Sequence, residues 1–426
     1  MADPRVFLLS CAVQDYAWGK LGSNSEVARL WSKGDKERPI DPEKPYAELW
    51  MGAHPKGDAV ISNNKTDLNT LGKWIAAHPE CLGPKVREIF KNQLPFLFKV
   101  LSVRLALSIQ AHPDKALAEK LHREFPQHYP DDNHKPEMAI ALTTFRGLCG
   151  FRPITEIVAF LQAVPEFQAL IGKEAAQQLE GIAKQFSSGI EEQKALQSCF
   201  TSMMQSDKKK CAEQLNLFVQ RVLQEAKSGM DVSSYLGDLI LTLYSQFPGD
   251  IGCFAIYFLN VVTLQPGEAM FLGANEPHAY LEGDCVECMA CSDNTVRAGL
   301  TPKFIDVQTL CEMLTYTSAP ASSKLFTPIP ISGDPYALLY NPPVPDFAVI
   351  KIEVPALVSQ YEMSALDSAS ILLVVRGQAT SHGSYGDLLL TPGSVLFIAA
   401  DESLTLSIDN SASADLLLFR ACCLQQ

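Results

Sequence analysis

No stretch of this 426-residue sequence approaches the roughly 18–20 consecutive apolar residues that a membrane-spanning helix needs. The N-terminus is short of apolar length too. The run after Met1-Ala2-Asp3-Pro4-Arg5 is interrupted at Gln14 and Asp15, too soon for a secretory signal peptide. Together these absences make a cytoplasmic protein with no membrane partner the expectation. Basic residues are also scarce: Lys and Arg total 35 against 48 Asp and Glu, for a formal net charge of −13. A general polyanion binder must replace condensed counterions with Lys and Arg, so no nucleic-acid partner is expected. A phosphate-bearing ligand would need its cations gathered at one place. Twelve cysteines in a reducing compartment read as small buried hydrophobes rather than as disulfides.

Proline is missing from one long segment. The chain has 27 prolines but none between Pro165 and Pro248, which suits helix. Apolar spacing agrees, with Ile157, Phe160, Leu161 and Val164, then Leu215, Phe218, Val219 and Val222, then Leu236, Leu239, Ile240 and Leu243 each following i, i+3, i+4, i+7. Residues 153–246 are therefore expected to be an all-α insert, with Gly172 as a C-cap after its first helix. On either side, short apolar or alternating runs are punctuated by Pro and Gly. Leu94–Val103, Leu107–Ala111, Phe254–Leu264, Ser370–Val375 and Leu404–Ile408 read as strands of sandwich or barrel type.

A weak internal repeat runs through these strands. Pro266–Tyr280 aligns without gaps on Pro392–Leu406, each a Pro-Gly turn, a strand, an acidic turn and a second strand. The pattern resembles the second motif of a cupin barrel. His278 falls on Leu404 in the alignment, so one copy can ligate a metal and the other cannot. The fold expected is mainly β with a helical insert: two cupin-like (jelly-roll) β-barrel domains plus an all-α domain. Residues 1–152 and 247–318 would form the metal-binding catalytic barrel, 153–246 the insert, and 319–426 a C-terminal barrel without metal ligands.

Chemistry concentrates in three places. Strict alternation over Leu107–His112 puts Ser108, Gln110 and His112 on one face and Leu107, Ile109 and Ala111 on the other. The polar, Pro-broken segment Tyr129–Glu137 follows, with Glu137 at the mouth of the apolar strand Met138–Leu142. His278 closes the set. Two imidazoles, a carboxylate and an amide oxygen suit a borderline divalent cation such as Zn²⁺. Gln110 in place of a His favours non-redox chemistry over an O₂-activating cupin site. The remaining histidines, His54, His78, His122, His128, His134 and His382, are left as surface or core residues. Cys285-x2-Cys288-x2-Cys291 lacks a fourth ligand for an iron–sulfur cluster, and on a strand Cys288 points away from the other two.

The segments Tyr129–Glu137 and His278–Lys303 resemble the two signature motifs of the type I mannose-6-phosphate isomerase (phosphomannose isomerase) family. Gln14–Gly19, Pro45–Gly52, Pro95–Val100 and Leu107–Pro113 agree further, so the resemblance spans nearly the whole chain. It is loosest in the helical insert and the C-terminal part. What it implies is a metal-dependent aldose–ketose isomerase that interconverts mannose 6-phosphate and fructose 6-phosphate through an enediol(ate), supplying precursors for mannosylation. It also implies one Zn²⁺ per chain, held by Gln110, His112, Glu137 and His278, and a small sugar-phosphate partner. Arg297 resembles the family's active-site arginine, and Lys99, Ser108 and Lys303 its phosphate-contacting positions. Trp18, Glu48, Lys135, Tyr280, Glu287 and Asp293 would line the pocket. Glu287, in an apolar context, is the expected base, with Lys135, Asp293 and Glu48 as competitors; the structural alternative for Glu287 is an ion pair with Arg297. A monomer is expected. A two-barrel sugar-binding or storage protein is the non-enzymatic alternative.

Overall fold

The computed structural model describes residues 5–34, 38–62, 68–184, 189–383, 385–409 and 414–424. Two β-barrels pack side by side, with a helical bundle against the outer wall of the first. Alternation along the strands sorts their residues into separate apolar layers, and following it locates the site.

In the first barrel, Phe96–Val103, Glu137–Ala141 and His278–Ala290 are hydrogen-bonded neighbours, flanked by Glu48–Met51 and Ala269–Leu272. Their outward residues, among them Phe98, Val100, Met138, Ile140, Val286 and Cys288, enter the layer between the two barrels. Their inward residues, among them Leu101, Val103, Ala139, Ala141 and Cys285, form the barrel's own core. Cys285 and Cys288 thus occupy different layers, no disulfide joins any of the cysteines, and all but Cys11 and Cys291 are buried.

Helices fill Ile154–Ala163, Pro165–Ile171, Lys173–Lys184, Gly189–Met204, Lys208–Lys227 and Gly237–Gln246, as the missing prolines imply. Gly172, at φ +89°, caps the second of these; the first ends at Ala163, two residues before Pro165, which opens the next. Their apolar stripes share a core with Ile109, Ala111, Leu148, Val296 and Ala298 on the outer wall of the barrel. The strand expected over Phe254–Leu264 starts only at Leu259. The preceding residues turn helical at Gly252–Ala255, because Phe254, Tyr257 and Phe258 pack with Phe167 and Phe218 of the bundle. Among the described residues no single helix is long and apolar enough to cross a membrane.

The second barrel packs Ser370–Arg376, Leu416–Cys422, Ala348–Val354 and Val395–Ile398 against a small sheet containing Gln360–Met363 and Leu404–Ile408. The internal repeat is realised at matching positions. Gly267 and Gly393 lie at φ +87° and +92°, Asn275 and Asp401 at +62° and +64°. The strands Ala269–Leu272 and His278–Ala290 begin where Val395–Ile398 and Leu404–Ile408 begin in the second copy. Leu404 lies in the apolar interior of the second barrel.

Among the described residues three strands cross the boundary drawn from sequence, one of them Val60–Ile61, which pairs with Leu9–Ser10 at the edge of the second barrel's sheet. Val6–Ser10, assigned above to the catalytic unit, pairs antiparallel with Val395–Ile398 of the second barrel. Leu325–Phe326, assigned to the C-terminal unit, pairs with Ala269–Met270 of the first. The exchange follows from burial: Phe7 and Leu9 face the layer between the barrels and Val6 faces the second barrel's interior.

Candidate active site

The inward face of the first barrel is apolar at one end and polar at the other. On Phe96–Val103 the inward residue after Leu97 is Lys99; on Glu48–Met51 the inward residues are Glu48 and Trp50; on Glu137–Ala141 the first is Glu137. The strand Ile109–Ala111 lies between two others. Gln110 is directly opposite His278 on one side and Arg297 on the other, which places all three side chains in one row on the same face.

His112, Glu137 and His278 converge, their ligand atoms all within 4.8 Å of one another. Glu137 Oε1 is 3.5 Å from His112 Nε2, and Glu137 Oε2 is 3.3 Å from His278 Nε2. Both Nδ1 atoms are committed to backbone carbonyls, His112 to Asn294 at 2.7 Å and His278 to Glu276 at 3.0 Å. Each Nε2 therefore presents a lone pair inward, the tautomer that a metal requires. His112 Nε2, Glu137 Oε2 and His278 Nε2 are buried with no hydrogen-bond partner among the described residues. Buried polar atoms without partners are costly, and three meeting at one point fit a divalent cation. Burial pushes the His112 pKa down to about 4, leaving its ring neutral at physiological pH. Burial opposes the charge on Glu137, but His112 and Lys135 beside it hold its carboxyl well below the usual range.

A second cluster adjoins it. Lys99, almost fully buried, lies 3.1 Å from Glu287 Oε2 and 3.6 Å from Glu48 Oε2, with its ammonium over the Trp50 ring. Burial disfavours the Lys99 charge, yet Glu48 and Glu287 hold its pKa above the usual range. Glu287 moves up as well, because desolvation outweighs the pull of Lys99. Its other oxygen accepts the Tyr280 hydroxyl at 2.7 Å. The ion-pair partner of Glu287 is thus Lys99; the pairing with Arg297 considered from sequence does not form. The register puts Lys99 opposite Glu287, whereas Arg297 stands opposite Gln110.

The other sequence candidates occupy the rim. Lys135 Nζ is 3.5 Å from Glu137 Oε1. Ser108 Oγ donates to Gln110 Oε1 at 3.3 Å. Trp18 packs on the barrel's apolar core and stacks on Tyr16. Asp293 faces Lys56 at 2.7 Å and His54 at 3.7 Å. Arg297 is half-buried and Lys303 exposed, and among the described residues neither makes an ion pair. They share a cavity of about 220 Å³ with Tyr129 and Phe304. Neither Lys99 nor Lys135 is on it, so the cations Lys99, Lys135, Arg297 and Lys303 do not all share one lining.

Asp131, Asn294 and Trp50 were not singled out from the sequence. Asp131 accepts from Ser292 Oγ, from the Asp293 amide and from the Asn294 side chain, and so fixes the Asn294 carbonyl that orients His112. The signal for both lay inside the quoted motifs. Trp50 Nε1 donates to Glu48 Oε2 at 2.5 Å, and period-2 spacing from Glu48 could have found it.

Family models for type I phosphomannose isomerase match three parts of the chain: the catalytic domain over residues 6–154, the helical insertion domain over 170–259 and the C-terminal domain over 337–381. The chain belongs to the type I phosphomannose isomerase family. Similarity to other members runs end to end. Mannose-6-phosphate isomerases of Bos taurus and Homo sapiens are 61% and 60% identical over 426 residues, covering 100% of each chain. A Salmonella typhimurium mannose 6-phosphate isomerase, solved with its substrate fructose 6-phosphate and zinc bound, superposes with a TM-score of 0.81 at 31% identity, over 99% of this chain and 100% of that one.

Proposed function

We infer that the protein is a zinc-dependent isomerase interconverting mannose 6-phosphate and fructose 6-phosphate. The observation that carries this reading is the meeting of His112 Nε2, Glu137 Oε2 and His278 Nε2, buried and unpartnered, beside a desolvated carboxylate, Glu287. Gln110, between His278 and Arg297 in the strand row, completes the ligand set. When bound, the zinc supplies a Lewis acid for the sugar oxygens on which negative charge develops.

The remaining work falls to the chain's own side chains. Glu287 takes the proton from C2 of the aldose and returns it to C1 of the enediol, giving the ketose; the reverse transfer regenerates the aldose. Its raised pKa brings it nearer working pH, which favours transfer in both directions. Tyr280 and Lys99 hold the carboxylate in one orientation. Lys135, 3.5 Å from Glu137 Oε1, is placed to move protons at the hydroxyl oxygens. Arg297 and Lys303, in no ion pair among the described residues, offer two cations to the phosphate, Arg297 as a planar fork, with the Ser108 hydroxyl, bonded to Gln110, as a further contact. Trp18, Glu48 and Asp293 bound the sugar. Anchoring the non-reacting phosphate positions C1 and C2 against the base.

The same reading carries the domain ranges given above, with Val6–Ser10, Val60–Ile61 and Leu325–Phe326 exchanged between barrels, one zinc per chain, a cytoplasmic monomer, and a place in supplying GDP-mannose precursors. The test is incubation with fructose 6-phosphate, with and without a chelator, followed by assay of mannose 6-phosphate. Chelator-sensitive formation is expected. Isomerisation indifferent to the chelator would overturn the metal assignment, and retention of sugar phosphate without turnover would favour a binding protein.

A further inference from the structure

The second barrel has an aliphatic residue, Leu404, where the first has its metal-ligating histidine, yet its interior also carries a positive charge. On Leu416–Cys422 the inward residues are Leu416, Leu418, Arg420 and Cys422. Arg420 is 2% exposed, which makes it one of the largest fully buried side chains in the molecule. Its Nε donates to Ser370 Oγ and its Nη1 to the Ser364 carbonyl, both at 2.8 Å. Both acceptors are neutral, and among the described residues Arg420 makes no ion pair. Its Nη2 is buried with no hydrogen-bond partner. An uncompensated buried charge is among the costliest features a fold can keep, and Met or Leu would fill the same interior without that cost.

Arg420 lines a cavity of about 520 Å³ at the mouth of this barrel, a size suited to a small metabolite. The rest of the lining argues for more than a bare anion. Asp334 and Glu362 would repel one, but both accept hydrogen bonds. Asp334 Oδ2 takes the Tyr361 hydroxyl at 2.5 Å, and Glu362 takes Gln360 at 2.6 Å and Thr405 at 2.8 Å. Carboxylates, an amide and tyrosine rings around one buried arginine match a ligand that donates hydroxyls along its body and carries an oxyanion at its end.

We propose that the cavity of the C-terminal barrel is a second binding site, for a hydroxyl-rich small molecule bearing a phosphate or carboxylate, with Arg420 anchoring the oxyanion. The anion supplies the counter-charge that the protein withholds, and a charge-assisted pair to a guanidinium is the strongest contact available there. This site is independent of the isomerase centre.

Met363 lines the cavity and Met289 lies in the catalytic barrel, so the two methyl groups report on the two sites separately. The full-length zinc protein, labelled at its methionine methyls, is titrated by NMR with glucose 6-phosphate, gluconate and inorganic phosphate. A saturable shift of Met363 with a Kd of about 1 mM or tighter is expected from at least one of the first two. Response to glucose 6-phosphate alone identifies a phosphate ester, and response to gluconate alone a carboxylate. Arg420→Gln should weaken it at least about tenfold. Gln360→Trp, at the exposed rim, should block it with isomerase activity unchanged, which covers the case in which Arg420→Gln fails to fold. A Met363 signal unmoved by all three probes, or moved equally in both variants, overturns the proposal.

Discussion

Tyr280 and Glu287 lie seven residues apart on one strand, yet the Tyr280 hydroxyl donates a 2.7 Å hydrogen bond to the Glu287 carboxylate. In a straight strand an odd separation sends side chains to opposite faces, and seven residues span roughly 23 Å. Gly283, at φ +114°, resolves both conflicts. The strand pairs with Phe145–Phe151 and Ile109–Ala111 before this glycine and with Phe96–Val103 and Glu137–Ala141 after it, so it bends from one wall of the barrel into the other. The bend carries His278, Tyr280 and Glu287 onto one interior.

Gly283→Ala should therefore cost more than a loop glycine. A Cβ there would come within 2.5 Å of the Thr144 carbonyl oxygen, in a backbone region that L-residues rarely adopt. A loss of about 1–3 kcal/mol in unfolding free energy is expected by denaturant titration, with reduced zinc content in the purified protein.

Glu287→Gln should retain stoichiometric zinc, measured by mass spectrometry, while kcat falls by at least about 10². Near-normal kcat would remove Glu287 as the base and leave Lys135.

The pH profile follows from the direction of the Glu287 shift. A base must be ionised, so activity is lost as pH falls through its pKa, which burial sets above the usual carboxylate value. The Tyr280 hydrogen bond stabilises the ionised form and lowers that pKa. Tyr280→Phe is then expected to move the acid limb of kcat to higher pH, and a limb that stays in place would assign it to another group.

Lys99→Met leaves Glu48 and Glu287 facing each other in a buried site. Breaking a buried pair in this way costs about 3–5 kcal/mol, so a large drop in denaturation midpoint is expected near neutral pH. If Lys99 served only as a phosphate contact, KM would rise and stability would hold.

His278→Leu installs at the metal site the residue that the second barrel has at Leu404. The variant should keep its circular dichroism spectrum, bind no zinc and show no isomerisation.

Local pattern in the sequence was enough for a good deal of this protein. Alternation over Leu107–His112 determined that Gln110 and His112 share a face, because a strand's period is fixed by its backbone. The prolines missing after Pro165 determined the helical bundle, and the Pro-Gly turns at 266 and 392 determined the repeat, down to left-handed backbone at Gly267 and Gly393. Periodicity assigns a residue to a face, however, without saying what that face meets. That Lys99 rather than Arg297 neutralises Glu287, that Val6–Ser10 closes the second barrel instead of the first, and that Arg420 ends in a cavity with no ion-pair partner among the described residues were decided by pairing between strands far apart in the chain. Such partners are selected by burial and register across the assembled sheets, quantities that exist only once the chain has folded.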